Sequence, residues 1–127
     1  MKFLCLAYEE ERVLNALTRD EWLVLRQETL DYVESLQASG VLLDARPLRS
    51  ATTSSIVRVR DGRSSITDGP FAETKEQIGG YFLIDVASHD DAVRVAEGWP
   101  SARFGSIEVR PIEDGLNTER RYGSGRS

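Results

Sequence analysis

Apolar side chains recur along this chain in two rhythms, one of strand type and one of helix type. Lys2 to Tyr8 is a short, nearly continuous apolar run of strand length. Glu9 to Leu17 is a polar connection with some helical character. Beyond it the spacing lengthens to three and four residues. Trp22, Leu25, Thr29, Val33 and Leu36 then form one helical stripe, widened by Leu23 and Leu30. Thr18 and Glu21 ahead of the stripe predict a capping box, in which hydroxyl and carboxylate each satisfy an orphan backbone N–H. Gly40 behind it predicts a helix stop with glycine at C′. Val41 to Asp44 resumes as a strand, limited by Pro47, which cannot donate to a ladder.

The second half repeats this order after an insertion. Val57 to Arg60 alternates apolar and charged residues, Asp61-Gly62 supplies a tight turn, and Ser64 to Thr67 returns as the second arm of a hairpin. Asp68-Gly69-Pro70-Phe71 breaks the pattern again and opens a loop carrying Glu73, Lys75 and Glu76. Tyr81 to Ala87 is a strand, and Ser88 caps a shorter helix whose Ala92, Val93, Ala96 and Trp99 face the core. Gly98 and Pro100 stop that helix, and Ser106 to Ile112 is the last strand. Strand-helix-strand twice, with a hairpin between, predicts an α+β fold. The right-handed crossover rule makes it a ferredoxin-like split βαβ with an antiparallel sheet and both helices on one face.

Strand alternation assigns Phe82, Ile84, Val86, Ile107 and Val109 to the helix side. It leaves Leu4, Leu6, Tyr8, Tyr81, Leu83, Asp85, Glu108 and Arg110 on the other side. A single copy would hold that apolar patch in water, and patches of this kind mark interfaces. Two subunits stacked sheet on sheet are therefore expected.

Length and charge narrow the partners. The 127 residues suit one domain, expected over residues 1 to 113, with 114 to 127 a flexible tail, either a mobile extension or a remnant of expression. A net charge of −5 argues against nucleic acid and against an anionic membrane surface. The single cysteine, Cys5, has no internal disulfide partner and lies mid-strand, as a small buried apolar residue does. The strand beginning at Met1 predicts no secretory leader, and no apolar run approaches the roughly 20 residues that span a bilayer. A cytoplasmic location is expected.

The polar residues of the open face are the candidate chemistry. Tyr8 and Tyr81 can donate hydrogen bonds from an apolar wall, while Glu108 and Arg110, two apart on one strand, can pair or grip a carboxylate. Across a dimer the same Glu108 and Arg110 read equally as an interface salt bridge. Asp68, at a turn beside the expected cleft, is the candidate acid or base alongside Tyr81, although aspartate at a turn also bonds its own backbone. Phe71 and Arg103 are candidate ligand contacts; Phe71 reads equally as a plug at the core edge and Arg103 as an exposed loop cation. Lys75 and Glu76 read as a solvated pair, and His89, directly after the cap Ser88, as an exposed first-turn residue. One His, one Cys and scattered acids give no metal spacing, and no glycine loop has a nucleotide fingerprint, so neither metal nor cofactor is expected.

The run Asp68-Gly69-Pro70-Phe71-Ala72-Glu73-Thr74-Lys75-Glu76, with Gly79-Gly80-Tyr81-Phe82, resembles the signature of the YCII-related family in its DGPF subgroup. Gly105 to Pro111 and the opening strand Met1 to Tyr8 match the same subgroup, so the resemblance spans about residues 1 to 113. It implies a dimeric α+β barrel with the reaction left open; the cleft between the stacked sheets is expected to hold a small organic molecule, on which Asp68, Tyr81 and Arg110 would act. Other YCII-related proteins, and the muconolactone-isomerase-like enzymes they resemble, are thought to use a histidine–aspartate dyad in the cleft. No histidine lies in the first helix here, so an Asp- or Tyr-based proton transfer would replace it. A second implication is a non-catalytic accessory role beside an extracytoplasmic-function sigma factor.

Overall fold

In the computed structural model, which describes residues 1–119, 121 and 122, the order is β1 (Lys2–Glu9), α1 (Glu11–Asn15), α2 (Arg19–Ala38), β2 (Leu42–Pro47), β3 (Ser55–Arg60), β4 (Arg63–Asp68), β5 (Gln77–Asp85), α3 (His89–Glu97) and β6 (Gly105–Pro111). The main sheet runs β2-β5-β1-β6 with every neighbouring pair antiparallel, and β3-β4 forms a separate two-stranded ribbon. This is the split βαβ arrangement, in which each crossover helix returns the chain two positions away in the sheet.

Local chemistry explains where α2 begins and ends. Thr18 Oγ1 accepts from Glu21 N at 3.1 Å and Glu21 Oε1 accepts from Thr18 N at 2.9 Å, a complete capping box. At the other end Gly40 has φ +78, and the Val41 N–H reaches Leu36 O at 3.0 Å while Gly40 N reaches Gln37 O at 3.0 Å. Those two bonds are the Schellman pattern, which needs a residue comfortable in left-handed space. The hairpin turn is equally local: Asp61 and Gly62 both have positive φ, as a two-residue primed turn requires.

The core lies between the sheet and the two long helices. Phe3 and Cys5 of β1, Phe82 and Ile84 of β5, Leu36 of α2, Leu42 of β2, and Ala92 and Ala96 of α3 are buried together. Phe82 stacks on Trp99 with ring centroids 4.0 Å apart, and the Tyr32 hydroxyl donates to Val95 O at 2.7 Å, tying α2 to α3. Ile107, Val109 and Val86 pack against this cluster from the same side.

Three side chains differ from the helical stripes read in the sequence, and one of them is Leu30 of α2, which is exposed. Trp22 is 45% exposed, because the first turns of α2 run past the apolar part of β1 to where Glu9 takes its place. Val93 also stays on the surface; Ala92 and Ala96 let α3 sit close to the sheet, and Val95 packs instead. Among the described residues, no helix is long and apolar enough to cross a membrane. The expected tail falls partly outside the described residues, which omit 120 and 123 to 127.

Candidate functional site

The face of the sheet that carries no helix is built in rows by strand register. One row runs Asp44, Leu83, Leu4, Arg110 across β2, β5, β1 and β6. The next runs Arg46, Tyr81, Leu6, Glu108, and a third contains Ile78, Tyr8 and Ser106. Leucines occupy the middle and charges the two edges. Leu4, Leu6, Tyr8, Tyr81 and Leu83 are all only partly buried within one subunit. Their period-two alternation with Phe3, Cys5, Phe82 and Ile84 requires this, since one set faces the helices and the other faces away.

The two edges repeat one motif. β2 carries Asp44 and Arg46, with Arg46 Nε 3.3 Å from Asp44 Oδ1. β6 carries Glu108 and Arg110, which are ion-paired. Each acid also accepts from a tyrosine on the adjoining inner strand. Tyr81 Oη donates to Asp44 Oδ2 at 3.1 Å, and Tyr8 Oη donates to Glu108 Oε1 at 3.1 Å. Hydrogen bonding to Asp44 and, less strongly, burial hold the Tyr81 phenol above its ordinary pKa; Asp44's charge adds to this and Arg46 opposes it. For Tyr8, burial leads, the bond and charge of Glu108 reinforce it, and Arg110 offsets it. Both phenols are therefore protonated donors at neutral pH, each held against a carboxylate acceptor.

Of the residues singled out from the sequence, Tyr8, Tyr81, Glu108 and Arg110 come together on this face. Asp68, Phe71 and Arg103 lie elsewhere. Asp68 is exposed at the end of β4, where the next amide, Gly69 N, donates to Ser54 O at 2.7 Å. Phe71 is 77% exposed and lies beneath the Arg58 guanidinium, 5.6 Å from its ring centroid. Arg103 pairs with Glu28 of α2 at 2.8 Å, on the helical layer. The first turn of α3 holds His89, whose ring meets Phe3 edge-on at 5.3 Å.

Sequence reasoning missed Asp44 and Arg46, although Asp44-Ala45-Arg46 repeats the acid-X-Arg spacing of Glu108-Val109-Arg110. It also missed Gln77, whose amide donates to Ala72 O at 2.7 Å and Thr74 O at 3.1 Å and so holds the loop after Phe71 in shape. Among the described residues, no group of three or more His, Cys, Asp or Glu is placed to hold a metal ion.

Comparison with known proteins gives three findings. The model of the YCII-related domain matches residues 1–115. The uncharacterized protein R00369 of Rhizobium meliloti (strain 1021) is 34% identical over 114 residues, covering 88% of this chain and 92% of that protein. The solved structure of 5-chloro-2-hydroxyhydroquinone dehydrochlorinase (TftG) from Burkholderia phenoliruptrix AC1100, in complex with 2,5-dihydroxybenzoquinone, is similar with a TM-score of 0.56. That likeness covers 91% of this chain and 96% of the other at 18% identity, so it concerns the fold.

Proposed function

The chain belongs to the YCII-related family, and from that premise we propose that two copies stack open face to open face around a cleft that binds a small organic molecule. The observation that carries this reading is the duplicated tyrosine–carboxylate–arginine motif on an otherwise leucine-lined surface. Polar groups converging on an apolar wall are what a small-molecule site requires. Covering the leucines with a second copy supplies the wall, and full burial of such a side chain is worth about 1.5–3 kcal/mol. In the cleft, the Tyr81 hydroxyl turns from Asp44 to donate to an oxygen of the bound molecule, and Asp44 accepts in its place from a hydroxyl of that molecule. Tyr8 and Glu108 form the second such pair, and Arg46 and Arg110 attract an anionic oxygen. The dehydrochlorinase with its bound dihydroxybenzoquinone supports a hydroxylated ring as the ligand class. Asp68 and Phe71, on the exposed hairpin exit that gives the DGPF subgroup its signature, belong at the mouth of this cleft, in the partner's reach.

Titration with 2,5-dihydroxybenzoquinone and with substituted hydroquinones, followed by absorbance, tests the reading. Saturable binding that weakens about tenfold or more in Tyr81→Phe and in Asp44→Asn, with the far-UV spectrum unchanged, is the expected result. Equal binding by wild type and both variants would overturn the assignment of this pair. No binding at all would leave the accessory, regulatory role as the better account.

A further inference from the structure

Phe3, Cys5 and Ala7 of β1 point into the core and are buried. The next residue in that row is Glu9. A carboxylate stands where the alternation calls for an apolar side chain, and the surroundings are cut back to admit it. Its register partners are Gln77 and Gly105, and a Cβ placed on Gly79 would fall 2.1 Å from Glu9 Oε2. The carboxylate thus lies directly on β5 backbone. It has no hydrogen-bond or cationic partner among the described residues. Burial holds its pKa above the ordinary value, and the charge of Glu11 adds to the effect.

Glu9 lines a groove of about 390 Å³ together with Glu11, Leu14, Leu17, Arg19 and Trp22. Its apolar side is formed by the two leucines and the half-exposed indole. Glu11 is fixed in place because its Oε2 accepts from Ala51 N at 3.2 Å. Arg19 is the one cation of the lining, and it is exposed, so solvent and salt screen it. A half-buried carboxylate without a partner, a second carboxylate in the same lining and an aromatic wall form the complement of an organic cation.

We infer that the groove between the end of β1, α1 and the start of α2 binds a small organic ammonium ion with an apolar or aromatic body. The ammonium sits between Glu9 and Glu11, and the body lies on Trp22, Leu14 and Leu17. Since Tyr8 and Glu9 are adjacent in β1 and face opposite sides of the sheet, this site is separate from the open-face cleft. The groove's volume falls within the range of small-ligand pockets, about 300–1,000 Å³.

Titration of the full chain with benzylamine, read by tryptophan fluorescence and by amide shifts of residues 9 to 22, tests the inference. Benzyl alcohol, a neutral analogue of similar shape, is the control. Saturable binding of the amine, at least about tenfold tighter than the alcohol and weakened at least about tenfold by Glu9→Gln, is expected. Trp22→Ala, on the exposed wall, should weaken binding similarly, and it serves if Glu9→Gln fails to fold. Tyr81→Phe should leave amine binding unchanged, which separates this site from the open-face cleft. Equal binding of amine and alcohol, no saturation in the millimolar range, or full affinity in Glu9→Gln would overturn it.

Discussion

Leu6→Lys is the sharpest perturbation of the proposed dimer. Leu6 lies in the middle of the open face, flanked in register by Tyr81 on β5 and Glu108 on β6. In a single subunit the change is mild. The site is partly exposed, the introduced ammonium can turn toward Glu108, and surface substitutions of this kind usually cost less than about 0.5 kcal/mol. In a face-to-face dimer the same charge is removed from water twice, once per subunit. At several kcal/mol per buried ion, about 3 each as a low value, the dimer loses about 6 kcal/mol. That is a rise of roughly four orders of magnitude in the dissociation constant. Sedimentation velocity at micromolar concentration should show wild type at twice the 14.2 kDa chain mass and the variant at one chain mass, with equal far-UV circular dichroism. A wild-type monomer, or a variant that stays dimeric, would refute the reasoning, because neither is compatible with this face being an interface.

Three further expectations concern the subunit itself. Burial pushes the Cys5 thiol up to about 11, so a thiol reagent at neutral pH should react only on unfolding, and prompt labelling of the native protein would contradict the β1 register. Gly98→Ala should lower stability by about 1–2 kcal/mol in a thermal melt. Its Cβ would fall 2.5 Å from the Tyr32 hydroxyl, displacing the bond to Val95 O, and an unchanged melting temperature would show that α2 and α3 are not tied there. Because the folded-state pKa of Glu9 is raised, the native state binds more protons than the unfolded chain just above the ordinary value of 4.5. Wild type should therefore lose stability relative to Glu9→Gln as pH rises through that window. Glu11 and Arg19, the other charges of the groove, are common to both proteins; parallel stability curves would show that Glu9 is freely solvated.

Much of the fold was legible because its signals are local. The Thr18–Glu21 box, the Gly40 stop and the Asp61-Gly62 turn are each decided within a few residues by hydrogen bonds and backbone angles, and all three are present. Strand alternation likewise divides Phe82 and Ile84 from Tyr81 and Leu83, whichever strands lie beside them. Half of the candidate site followed from the same rule, since Glu108 and Arg110 are two apart on one strand.

What pairs with what was settled only in three dimensions. Asp44 meets Tyr81 because β2 is the edge strand beside β5, and a register shift between Leu42 and Asp44 turns the carboxylate onto the open face. Nothing near Asp44 in the sequence announces that neighbour, 37 residues away. The same holds for Glu9. The sequence ends an apolar run there, but only packing shows that the residue, half-buried, continues the core-facing side of β1 and rests on Gly79 from a distant strand. Local hydrogen bonding and periodicity act over a few residues and can be read along the chain. Contacts between strands depend on the order and register of the whole sheet, and those are fixed when the helices and strands pack together.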